Sequence, residues 1–202
     1  TETNFSYGQP WWVDGHGFCF LHTRYENGRR FLWTWRSPDG RTWATPQRLA
    51  KMERGHYQVS ALREDGVIGT AFNVHPEKGG LNARTDLYWA QSPDGGQTWM
   101  TVSGEALELP LGERGATARV RETQGELVYL KDIGFDGGGR PVILYLLSRG
   151  FESGPKHGPR RWATSHWTGE RWRTREVTTS DHNYDFGSLY VEGDAWMIIA
   201  PF

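Results

Sequence analysis

The sequence predicts an all-β fold, a partial β-propeller of four-stranded antiparallel blades, and three observations predict it. The 202 residues include 26 Gly, 10 Pro and 11 Trp but only 3 Met, a balance that favours many short strands joined by tight turns over a helical bundle. The chain repeats itself with a period of about 50 residues. One polar turn is written twice, as "SPDGRTW" at 37–43 and "SPDGGQTW" at 92–99.

The units follow in order. "QPWWVDGHGFCFLHTRYENGRRFLWTWRSPDGRTWATPQRLA" is four apolar-alternating runs separated by "DGHG", "ENGR" and "PDGR", the pattern of a four-stranded meander. "HYQVSALREDGVIGTAFNVHPEKGGLNARTDLYWAQSPDGGQTWMTV" repeats it. In the third unit, from "ELVYLKDIGF" to "RTREVTT", "WTGERW" replaces the polar turn and Trp172 stands where Trp43 and Trp99 stood. A fourth unit, "YDFGSLYVEGDAWMIIAPF", stops after two strands. The expected blades are 5–50, 55–110 and 118–180 with a half blade at 184–202, one partial domain of a six- or seven-bladed ring. The apolar last strand is an edge hazard if unpaired. The chain is therefore expected to be a fragment whose missing C-terminal blades close the ring, or to close it by self-association.

The repeated turn satisfies itself. The Ser92 hydroxyl and Asp94 carboxylate can bond backbone N–H groups of the turn, Gly95 and Gly96 can take positive φ, and Trp99 can pack on the blade. Ser37, Asp39 and Trp43, with Ser92, Asp94, Thr98 and Trp99, are read as structural.

Composition excludes several function classes. A formal net charge of −1 leaves no basic field for a nucleic-acid backbone. No run approaches the roughly 20 apolar residues of a membrane helix, and "TETNFSYGQP" is not a signal peptide. The parent is expected to be extracellular or periplasmic. Cys19 stands alone in "GFCFLH" and reads as a small buried hydrophobe. "GFDGGGR" at 134–140 lacks the Lys-Ser/Thr of a phosphate loop and reads as a hairpin turn. No cofactor motif is present, and no His-x-x-x-His spacing joins His56, His75 and His182, so no metal is expected.

Strand alternation puts the polar turns on one face of the propeller and the second-to-third loops and blade connections on the other. The loops at 22–30, 73–86 and 148–161 and the connections at 51–58, 103–121 and 179–185 are assigned to that other face. They carry His22, His56, His75, His157 and His182, with Tyr25, Tyr57, Asn73, Asn82, Arg84, Arg149, Asn183 and Tyr184. "GHYQ" and "DHNYD" open innermost strands and so project nearest the axis. The face is poor in acids, which disfavours a two-carboxylate glycosidase. Its His, Tyr and Arg inventory suits β-elimination at a uronic acid: a neutral His or a tyrosinate takes the C5 proton, Tyr or His protonates the leaving oxygen, and a cation neutralises the carboxylate.

The two turns resemble the Asp boxes, or BNR repeats, of the sialidase-like propeller superfamily. "HTRY", "RGHYQVS", "FNVHP", "NARTDLYW", "SPDGGQTW" and "DHNYDFGSLY" together resemble its BNR-4 group, whose members are often labelled neuraminidase-like. The resemblance implies a carbohydrate-active propeller acting on a polysaccharide or glycan. Relatives include polysaccharide lyases that cleave ulvan or rhamnosyl-glucuronate linkages, and rhamnosidases with a funnel His. The Phe/Tyr-Arg-Ile-Pro motif of sialidases is absent. Chemistry and placement assign His56 as base, Tyr57 or Tyr184 as acid, and Arg84 with His75 or Asn73 as carboxylate neutraliser; His182, Arg149 and His22 are further substrate contacts. The alternatives are a sialidase-like or rhamnosidase-like glycoside hydrolase, and a non-catalytic glycan-binding or scaffold propeller.

Overall fold

A computed structural model describes residues 5–79, 82–112, 116–193 and 195–201. Three antiparallel meanders follow one another: β1 (Phe5–Val13), β2 (Gly17–Glu26), β3 (Arg29–Ser37) and β4 (Gln47–Ala50); β5 (Gln58–Leu62), β6 (Ile68–Val74), β7 (Thr85–Ser92) and β8 (Arg119–Arg121); β9 (Leu127–Phe135), β10 (Pro141–Ser148), β11 (Arg160–Trp167) and β12 (Trp172–Ser180). A two-stranded sheet of β13 (Ser188–Glu192) and β14 (Ala195–Ile199) ends the chain. Positions 194 and 202 of the expected half blade lie outside the described residues. Local chemistry accounts for the hairpins. Asn27 and Gly28 both take positive φ in the tight β2–β3 turn. In "GFDGGGR" the Asp136 carboxylate accepts from the N–H groups of Gly138 and Arg140, each at 2.9 Å.

The first strands form the inner ring of a partial propeller, β1 touching β5, β5 touching β9, and β9 touching β13. Apolar side chains pack in the three gaps between successive sheets, around Leu21, Leu32 and Phe72, around Trp89, Ile143 and Tyr145, and around Leu144, Trp162 and Leu189. Every residue of β6 and β10 is consequently buried, because neighbouring sheets cover both faces of these strands. Polar clasps cross the gaps: Gln9 accepts from Ser60 N–H at 2.6 Å, and Asp132 accepts from Leu189 N–H at 2.8 Å.

Both polar turns close on themselves. Asp94 Oδ1 accepts from the N–H groups of Gln97 (3.0 Å) and Thr98 (2.9 Å), and Ser92 Oγ accepts from Gly96 N–H at 2.8 Å. Asp39 does the same for Arg41 and Thr42, bonds that hold its carboxyl below the usual range. Trp99 is buried in the first core.

The second blade departs from expectation. Its fourth strand is β8 at 119–121, so the sheet runs past the expected end near 110, and the connection to the third blade is 122–126 rather than 103–121. The intervening segment crosses to the first blade, where Lys51 N–H donates to Leu111 C=O and Leu111 N–H to Leu49 C=O, each at 2.9 Å. Trp99, Leu107, Leu109 and Leu111 draw it there by packing on the first core.

Candidate active site

At the face opposite the boxes the inner strands and their connections gather tyrosines around two guanidinium groups. Tyr57 precedes β5, and Gly55 lets the chain reach it. Gly55 has φ +122, and a Cβ there would lie 1.8 Å from Arg30 C=O, so only glycine fits against β3. Arg84 stands before β7 with its Cζ 4.0 Å from the Tyr57 ring centre, 4.8 Å from Tyr129 and 5.4 Å from Tyr184. The Tyr129 and Tyr184 hydroxyls donate to Asn82, to its C=O (3.0 Å) and side-chain oxygen (2.9 Å). Arg30, from β3, lies 4.9 Å over Tyr57, 4.7 Å over Tyr25 and 5.5 Å over Tyr7. Neither Arg30 nor Arg84 has a carboxylate partner among the described residues, and the buried Nε of each makes no hydrogen bond.

His75 lies beneath, fully buried, with its ring edge-on to Tyr57 at 4.4 Å. Burial and the nearby Arg84 push its pKa down to about 3 against a weaker opposing influence of the Ala83 backbone, so the imidazole is neutral. Neither ring nitrogen makes a hydrogen bond of normal geometry. Lys131, from the middle of β9, donates to Asn183 C=O at 3.1 Å, and burial with Arg84 lowers its pKa to about 8.

Several assignments change. His56 is not placed to act as a base: it is fully buried, its Nδ1–H donates to Asn73 C=O (2.9 Å), and its Nε2 accepts from Met52 N–H (3.1 Å). Burial holds it neutral with a pKa near 4. Asn73 is likewise committed, accepting from Tyr57 N–H (3.1 Å) and donating to Val128 C=O (2.9 Å), and so ties the second blade to the third. His22 lies in β2 with its ring among Phe5, Phe20 and Trp35. Arg149 is exposed and touches none of these groups, and His157 pairs with Glu152 at 2.6 Å. His182 sits at the rim, its Nδ1 accepting from Tyr184 N–H at 3.0 Å. Tyr57, Tyr184, Arg84 and His75 do come together.

Tyr7, Arg30, Tyr129 and Lys131 were missed. Lys131 had a signal, a charge inside the apolar run "LVYLKDIGF". Three acids on this face are already engaged: Asp86 by Thr123, Asp185 by Ser180, and Glu152 by Lys156. No group of three His, Cys, Asp or Glu able to hold a metal occurs among the described residues. A cavity of about 550 Å³ opens instead on the box face, beside Arg63, Asp65 and Asp136. There Arg63 pairs with Asp65 at 2.7 Å, and Asp136 pairs with the neighbouring Arg140 at 3.1 Å.

An Asp-box partial propeller with a tyrosine-lined, cationic inner face defines the class. The chain belongs to the BNR repeat-containing family, whose model matches residues 2–179. It is similar in structure to a PL25 ulvan lyase bound to -[GlcA(1-4)Rha3S]-, with a TM-score of 0.76 and 20% identity over 94% of this chain and 47% of that one. It is also similar to the polysaccharide lyase Uly1 (TM-score 0.68, 12% identity, 95% and 44% covered) and to a Dyadobacter fermentans protein of unknown function (0.57, 13%, 93% and 58%). The chain thus spans about half the length of the lyases it matches. No curated protein matches it.

Proposed function

We propose that the protein cleaves an acidic, uronate-containing polysaccharide by β-elimination, outside the cytoplasm. The observation that carries this reading is Arg84, a guanidinium without a carboxylate partner among the described residues, set among Tyr57, Tyr129 and Tyr184. A partly desolvated cation beside phenols is a ready receptor for a carboxylate, and neutralising that carboxylate makes the C5 proton of a uronate removable. Tyr57, the nearest phenol to Arg84, takes the C5 proton onto its oxygen as a tyrosinate. The C4–O bond breaks as the C4=C5 double bond forms, and Tyr184, whose hydroxyl is oriented by Asn82, protonates the departing oxygen. Neutral His75 supports Tyr57 from below and adds no positive charge to compete with Arg84. The likeness to lyases, one of them bound to a glucuronate-containing oligosaccharide, supports the same reading.

The test is the mass of the products after the full-length protein meets uronate-containing and sialylated glycans. Fragments whose masses sum to that of the substrate, with an unsaturated uronate end, are expected. Fragments carrying one added water would mean hydrolysis. Saturable binding without products would mean a binding module.

A further inference from the structure

A second cation on this face has no task in the elimination. Arg30 is 8% exposed, and a guanidinium taken that far out of water is costly unless it is paired. Its one side-chain hydrogen bond goes to the Tyr25 hydroxyl, at 2.6 Å. Nε is enclosed and unpartnered, Nη1 has no partner among the described residues, and no carboxylate pairs with it. By contrast Arg48, Arg63, Arg140 and Arg161 are each matched to an acid. The second, independent observation is Tyr7. It interrupts β1 with φ +54 and a register shift between Ser6 and Gln9, a backbone state that costs a non-glycine residue energy. That kink sets the half-exposed Tyr7 ring edge-on against Tyr57 at 4.5 Å and under Arg30. Tyr57 belongs to both arrangements, so Arg30 and Arg84 flank one phenol.

We infer that Arg30, with Tyr7 and Tyr25, forms a second oxyanion subsite on the first blade, which holds an anionic substituent of the sugar neighbouring the one held by Arg84. The inference rests on the polysaccharide reading above. The chemistry called for is a planar or tetrahedral oxyanion taking two parallel N–H bonds from the fork, with an aromatic ring for the sugar face. A sulfate ester and a second carboxylate both meet it.

Two measurements separate this subsite from the reading it rests on. In the first, the guanidine Nε–H resonances of ¹⁵N-arginine-labelled protein are followed during titration with inorganic sulfate and with methyl glucuronate. Arg30 is expected to shift saturably with one of them. In the second, binding of a sulfated rhamnose–glucuronate polymer and of its chemically desulfated form is measured for wild type, Arg30→Gln, Arg30→Lys and Tyr7→Ala. Arg30→Gln is expected to weaken binding about tenfold, the loss of one charged hydrogen-bond pair, with Arg30→Lys restoring only part of it. A loss confined to the sulfated polymer identifies a sulfate ester as the occupant, and an equal loss with both identifies a carboxylate. Wild-type affinity for both polymers in folded Arg30→Gln and Tyr7→Ala would overturn the subsite while leaving the elimination reading standing. A saturable Arg30 shift with sulfate, in a protein that binds neither polymer, would keep the oxyanion site and sink the polysaccharide reading.

Discussion

Replacing His56 by alanine separates a structural histidine from a catalytic one. In the folded protein the imidazole bridges backbone groups of two buried residues, Asn73 C=O and Met52 N–H. Alanine leaves both unsatisfied, at about 1–3 kcal/mol each, and opens a cavity beside Phe72, whose ring the imidazole meets edge-on at 5.5 Å. A loss of about 4 kcal/mol follows, which in a domain of this size lowers Tm by roughly 8–16 °C. Acid adds an independent signature. The unfolded imidazole binds a proton near pH 6.5 and the buried one only near 4. Between those values the unfolded state carries more protons, so stability present above pH 6.5 is lost as pH falls towards 4, by roughly 3 kcal/mol from this residue. His56→Gln keeps a donor and an acceptor, so at pH 7 it should recover part of the stability while flattening the acid limb. Thermal and urea unfolding of the three proteins from pH 4 to 8 would measure this. If His56→Ala melts within about 2 °C of wild type, well below the shift expected, yet has lost turnover, the bridging role is refuted and a base at this position returns.

Arg84→Gln in the full-length protein should lower kcat by about 10²–10³, the usual cost of removing a charge-stabilising donor; steady-state release of unsaturated product checks this, and unchanged turnover would exclude Arg84 as the carboxylate receptor. Binding of an acidic polysaccharide should weaken as pH rises through about 8, where Lys131 loses its proton, and Lys131→Arg should abolish that fall; titration calorimetry at pH 7 and 9 decides. Gly96 has φ +86, and a Cβ there would meet Cys19 Sγ at 2.6 Å, so Gly96→Ala should cost about 2–4 kcal/mol in urea unfolding. Gly15→Ala, also at positive φ but with open space around it, should cost only about 1 kcal/mol, and Cys19→Ala should relieve part of the Gly96→Ala loss.

The two Asp boxes were readable in detail because every group that satisfies Asp94 lies within four residues of it. The inner face was readable too, since strand alternation and the position of the boxes decide where Tyr57, Arg84 and Tyr184 must emerge. The excursion after Trp99 was not. Its path follows from apolar contacts with the preceding blade, as the pairing of Leu49 with Leu111 records.

Strand count, turn chemistry and the side on which His, Tyr and Arg gather were decided by residue order alone, because each depends on neighbours a few positions apart. Which of those side chains remain available for chemistry was decided only by folding. His56 and Asn73 spend their polar atoms on Met52 and Val128 backbone groups brought to them by the packing of blades. Among the described residues no acid is delivered to Arg30 or Arg84, so each guanidinium keeps donors to spare. Availability is a balance between burial and partnership, and both terms exist only once distant strands have met.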